Sequence, residues 1–167
     1  MPSHRILLLA LIAATAVLPA CKKAQDAAVE AAVERATGAK VDKDGNTVTV
    51  QTDKGEMRIT TAADGTAVAL PADFPTDLYL PTPHKVESVM AMGSAHMVNL
   101  TTSMATADVH AGVVDAMQRG GWTQALAMQT GEGSTLAYRK DKRQAFYQLV
   151  KQDDGGTQLA IRAASDE

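Results

Sequence analysis

Apolar and polar residues alternate in short runs over the second half of the chain. Val86 to Met92 and His96 to Ser103 read as two strands joined at Gly93-Ser94. Trp122 to Gln129, Ser134 to Arg139, Gln144 to Lys151 and Thr157 to Ala163 read as four more. Their connections, Gly131-Glu132-Gly133, Lys140-Asp141-Lys142 and Asp153-Asp154-Gly155-Gly156, are made of hairpin-turn residues. Between the two groups the period changes to that of a helix. Val109, Val113, Ala116 and Met117 share one face of a segment from Ala107 to about Arg119, Thr106 stands as its N-cap, Asp108 complements its positive end, and Gly120-Gly121 stops it. The order β-β-α-β-β-β-β predicts an α+β fold, an antiparallel sheet with one helix packed on one face. Leu136, Tyr138, Leu149, Leu159 and Ile161 are expected in the core with Trp122 and the helix stripe.

Upstream, Thr47 to Thr52 and Glu56 to Thr61 alternate between turn signals at Asp44-Gly45-Asn46, Asp53-Lys54-Gly55 and Asp64-Gly65. They predict a β-hairpin with Val48, Val50, Met57 and Ile59 on one apolar face. Two strands are marginal in water, so this hairpin must dock on something or extend a larger sheet. The following stretch, PADFPTDLYLPTPHK, holds Pro71, Pro75, Pro81 and Pro83, which forbid a long helix. Its Phe74, Leu78, Tyr79 and Leu80 are too apolar for a free linker, and an extended strap packed on the core is expected, with a flexible inter-domain hinge as the alternative. Before the hairpin, the Ala-rich residues 22–39 carry Val29, Val33 and Ala36 at helical spacing, with Gly38 as a stop. They read as a helical spacer, with a small docking helix or a weak coiled-coil seam as alternatives.

The chain of 167 residues has a formal charge of −3, too mild for a nucleic-acid binder, and six aromatics, few for stacking bases or sugars. Its start is of another kind. His4 and Arg5 precede an apolar run from Ile6 to Val17, too short to span a bilayer, which ends in Leu18-Pro19-Ala20-Cys21. These four residues resemble the lipobox of bacterial lipoproteins, and Cys21 is the sole cysteine. The resemblance implies a diacylglycerol joined through a thioether to Cys21, removal of residues 1–20 as a signal peptide, and acylation, typically by palmitate, of the new amino group. Buried acyl methylenes contribute about 0.8 kcal/mol each, so two or three chains anchor a protein stably. Lys22 after the lipidated residue implies transfer to the outer membrane of a Gram-negative envelope, facing the periplasm.

The organisation expected is therefore a signal peptide (1–20), a lipid anchor and spacer (21–39), a hairpin region (40–70), a proline-rich strap (71–85) and an α+β sandwich (86–167). This layout, with Asp73-Phe74-Pro75, Asp77-Leu78 and Leu80-Pro81 in the strap and Gly121-Trp122 after the helix, is similar to small bacterial lipoproteins whose folded domain has no assigned activity. The expectation is an envelope lipoprotein with a non-catalytic binding or scaffolding domain of unknown ligand and an envelope protein as partner.

No local signature of an enzyme is present: no G-x-S-x-G, H-E-x-x-H, P-loop or G-x-G-x-x-G. Gly131-Glu132-Gly133 opens onto a strand rather than a helix. No catalytic, cofactor or metal residue is therefore assigned, and a hydrolase assembled from distant residues is the weaker alternative. Methionine is the strongest bias. Met90, Met92 and His96 suggest a copper-handling alternative, because thioethers suit Cu(I) and imidazole suits Cu(II). On strands Met90 and Met92 share a face while His96 and Met97 point oppositely, so three of the four converge at most. Methionine also fills cores that lack aromatics, and packing is the first explanation. Arg139, Lys140, Lys142 and Arg143 form a basic cluster that reads as a solvated hairpin tip or, alternatively, a grip on anionic groups.

Overall fold

A computed structural model describes residues 40–165 except 45, 53, 54 and 64, together with Ala31, which is helical. The signal peptide, the lipobox with Cys21, the rest of the spacer and the turn residues Gly45, Asp53, Lys54 and Asp64 lie outside the described residues, as do the side chains of residues 40–44 and 52.

The strands are β1 (Lys40–Asp44), β2 (Thr47–Thr52), β3 (Gly55–Thr61), β4 (Lys85–Met92), β5 (Ala95–Thr102), β6 (Thr123–Gln129), β7 (Gly133–Lys140), β8 (Arg143–Lys151) and β9 (Thr157–Ser165), with helix α1 (Thr106–Arg119) between β5 and β6. They form one sheet in the order β1-β2-β3-β4-β5-β9-β8-β7-β6, antiparallel at every pairing. The fold is α+β, a sheet with one helix packed on it. The N-terminal hairpin extends this sheet, since β3 pairs with β4 from Met57↔Met92 to Thr61↔Ser88. The β1 strand before it was not legible: KVDKD has no alternation, and only its pairing with β2 makes it a strand.

Alternation determines which face is buried. His96, Val98, Leu100 and Thr102 of β5 point inward, as do Leu159 and Ile161 of β9, Tyr147 and Leu149 of β8, and Leu136 and Tyr138 of β7. Val109, Val113 and Met117 of α1 cover them, all three fully buried. Each such aliphatic side chain removed from water contributes about 1.5–3 kcal/mol. The helix closes as its glycines require. Gly121 takes a left-handed φ of 74°, the Trp122 N–H reaches the Met117 carbonyl at 2.9 Å, and the Gly121 N–H reaches Gln118 at 3.1 Å.

Several boundaries shift by a residue or two from the sequence reading, and two of the shifts have a tertiary cause. Thr106 is the first helical residue rather than the N-cap, which is Ala105. Its hydroxyl lies 3.1 Å from that of fully buried Thr157, which donates to the Met104 carbonyl at 2.8 Å, so a tertiary contact outbids the local cap. Trp122 precedes β6 rather than opening it, because its backbone completes the helix end and its indole turns into the core.

The strap and the residues leading into it form the rest of the inner layer. Val68 bonds through its N–H to the Val86 carbonyl at 3.0 Å, Phe74 meets the ring of His96 edge-on at 6.1 Å, and Leu78 is buried. The Tyr79 N–H donates to the Tyr147 hydroxyl at 2.9 Å, and that hydroxyl lies 3.4 Å from both the Tyr79 carbonyl and the Met117 sulfur. Burial pushes the Tyr147 phenol above its ordinary pKa, so it is a neutral donor at any physiological pH. The Tyr79 ring rests on α1 where Gly112 leaves room; a methyl there would lie 2.6 Å from the ring carbon Cζ.

Tyr147→Phe should cost about 1–3 kcal/mol in urea denaturation, because it leaves the strap's Tyr79 N–H without its acceptor. Gly112→Ala should destabilise by a similar amount in the same measurement, despite alanine's advantage of about 1 kcal/mol within a helix.

Candidate functional site

Cross-strand partners share a face of an antiparallel sheet, so the register identifies the residues on the side away from α1. One row crosses nearly the whole sheet: Leu126, Ala137, Phe146, Arg162, Met97, Met90, Ile59 and Val48, each the direct partner of the next. A second row beside it links Ala95, Met92, Met57 and Val50. The apolar residues of the N-terminal hairpin therefore lie on the side opposite the core. Its polar residues, Thr47, Thr49, Gln51, Glu56, Arg58 and Thr60, share the side on which the helix and strap pack. The hairpin is amphipathic in the opposite sense from the strands that follow it.

Among the described residues no second layer covers this outer face, and Met92, Leu126, Met128 and Val150 are its large exposed apolar side chains. The face ends at β6. All seven residues of that strand, TQALAMQ, are exposed, and none is charged or proline. Among the described residues a bulge between Gln124 and Leu126 is its only protective device. The opposite edge, β1, carries Lys40, Asp42, Lys43 and Asp44, as edges that avoid pairing do.

The copper set read from the sequence is divided by the sheet. Met90 and Met92 lie on the outer face, whereas His96 is buried on the inner one, opposite Ala91. Its Nε2 lies 3.5 Å from Asp73 of the strap, and its Nδ1 has no hydrogen-bond partner among the described residues. Met97, the residue that alternation places opposite to His96, joins Met90 and Met92 instead. Met57 completes the group across β3, a position that sequence could not connect because the strap separates β3 from β4.

The basic cluster is not a free patch either. Arg143 donates to Asp77 of the strap at 2.9 and 2.6 Å, and Lys140 donates to Asp77 at 3.3 Å and to the Gly120 carbonyl at 2.8 Å. The guanidinium also lies over the Trp122 ring, 4.8 Å from its centre. Half of the cluster is thus a clasp that closes the strap over the helix end; Arg139 and Lys142 remain exposed. Hydrogen bonds from Arg143, then those from Lys140, hold the Asp77 carboxyl at about 2 against the ordinary 3.8.

A polar groove of about 610 Å³ lies between Pro83 and Gln158, lined by His84, Lys85, Glu87 and Asp154. His84 Nδ1 is 2.6 Å from the Pro81 carbonyl. Among the described residues no three His, Cys, Asp or Glu side chains gather as metal ligands, and no described helix is long and apolar enough to cross a membrane. Gly131-Glu132-Gly133 is a hairpin turn, with the Thr130 N–H donating to the Gly133 carbonyl at 2.8 Å.

Comparison with known proteins finds no family model, no curated protein and no solved structure that matches the chain.

The clasp has a pH signature. Because the folded Asp77 pKa is depressed, its stabilisation is complete above the unfolded value near 4 and is lost as pH falls towards 2. Asp77→Asn should therefore cost about 1–2 kcal/mol at neutral pH, with the difference from wild type vanishing across that acid window in urea melts.

Proposed function

We propose that this is a membrane-anchored envelope lipoprotein, held through lipid on Cys21, whose α+β domain is a non-catalytic binding module. The anchor rests on Leu18-Pro19-Ala20-Cys21 and the apolar run before it. Lys22 directs the reading to the outer membrane with the domain in the periplasm.

The observation that carries the binding role is the edge of β6. An edge strand offers a row of backbone donors and acceptors that another extended chain satisfies by adding one more strand. The β6 segment, unlike the β1 segment KVDKD, contains no charged residue. The occupant is accordingly an extended segment of another envelope protein, with backbone bonds supplying affinity and Leu126 and Met128 supplying apolar contact to its alternate side chains. The outer face continues from these two residues to Ala137 and Thr135 of β7, giving such a segment a surface to lie against.

The test is site-specific photocrosslinking in the native host, with the reactive residue at Gln129 and, in a control, at Gln158 of central β9. One partner should be captured from position 129 alone. The double substitution Leu126→Lys/Met128→Lys should abolish that capture without altering the melting curve, and Cys21→Ser should abolish it by releasing the protein from the membrane. Mass spectrometry of the mature product should find the lipid on Cys21. An unmodified Cys21 would remove the anchor from this reading. Capture that survives both lysines, or that returns only a second copy of this chain, would remove the β6 docking mode.

A further inference from the structure

We propose that Met57, Met90, Met92 and Met97 form a thioether site for one cuprous ion on the outer face of the sheet. Four methionines stand on three adjacent strands in direct register. Met57 of β3 faces Met92 of β4, and Met90 of β4 faces Met97 of β5. Direct partners hold their Cβ atoms about 4.5–5.5 Å apart. Met90 and Met92, two residues apart on one strand, are separated by about 7 Å. With three rotatable bonds each, the sulfurs of Met90, Met92 and either Met57 or Met97 reach a common point at about 2.3 Å, the range of metal–sulfur bonds.

Core packing, the ordinary reason for methionine, does not account for this group. Met117 does fill the core and is fully buried, and Met104 packs against it. The other four lie on the face that no described layer covers, where Met92 is 52 % exposed. The donors available also define the metal. Among the described residues the direct partners of the cluster on that face are Val50, Ile59, Ala95 and Arg162, so thioether sulfur is the ligand offered and none of these partners adds a carboxylate or imidazole. Neutral, soft sulfur without anionic help selects a soft monovalent ion over Zn²⁺, Mg²⁺ or Ca²⁺. The nearby Arg162 cation further disfavours a divalent ion.

This site does not depend on the β6 edge, and its test leaves that edge intact. The full chain with Cys21→Ser, which removes the one thiol, is titrated anaerobically with Cu(I) held by a chromophoric Cu(I) chelator. One equivalent should be withdrawn from the chelator, and X-ray absorption should show sulfur neighbours only. Leucine keeps the apolar volume, so Met90→Leu/Met92→Leu should fold with an unchanged melt yet lose the equivalent, while Met57→Leu or Met97→Leu should weaken binding by about tenfold. Met104→Leu, which packs against the core on the other side of the sheet, should bind as wild type does. No withdrawal of copper, nitrogen or oxygen in the coordination shell, or undiminished binding by Met90→Leu/Met92→Leu would overturn the proposal. An apolar partner that binds wild type and the leucine variants equally, with no copper taken up, would give the face a different occupant and overturn it likewise.

Discussion

A single buried hydroxyl joins the layers of this domain. Tyr147 rises from β8, the strand over which α1 lies, and its phenol sits between the strap backbone at Tyr79 and the sulfur of Met117 on the helix. The strap has few backbone partners of its own because its prolines remove donors and interrupt regular structure. A proline-rich segment of this kind stays in place only if side chains from other elements satisfy it. Tyr147 does so at its middle, and Asp77 with Arg143 and Lys140 does so where it passes the helix end.

That arrangement determines which side of the sheet remains for other uses. Helix and strap both pack on the inner face, so the hydrophobic stripe of α1 and the apolar side chains of the strap are spent on one layer. The N-terminal hairpin continues the same sheet with the opposite polarity, placing Val48, Val50, Met57 and Ile59 on the outer side and Thr47, Thr49, Thr60, Glu56 and Arg58 on the inner side. An apolar face without a described cover is expensive in water, about 25 cal/mol for every Å² left exposed. Its persistence across several strands is why the proposed docking mode uses the outer side and the β6 edge, which no described residue covers.

Most of the core was legible because it obeys local periods. Residues alternating at two, such as Leu136 with Tyr138 and Leu159 with Ile161, and residues recurring at three and four, such as Val109, Val113 and Met117, are buried where those periods put them. Turn residues were equally plain: Gly93 and Asp141 take left-handed φ values of 56° and 55° between adjacent strands. The strap's packing followed from its apolar content. Asp77 was not legible, since an isolated acid carries no sign that a cation over sixty residues away will bond it. Nor was β1, whose strand character comes from its partner.

The sequence by itself determined the α+β class, the elements other than β1, the inward residues of the helix and of β7, β8 and β9, and the candidate lipid-bearing cysteine, because each depends on neighbours within a few residues. Only the tertiary structure decided that the hairpin's apolar face lies opposite the core, that His96 is parted from Met90 and Met92, and that Met57 and Met97 stand beside them. Those outcomes depend on the pairing of β3 with β4 across the strap. Local periodicity gives the two sides of a strand but not which strand lies next to it, and that neighbour determines which side chains meet.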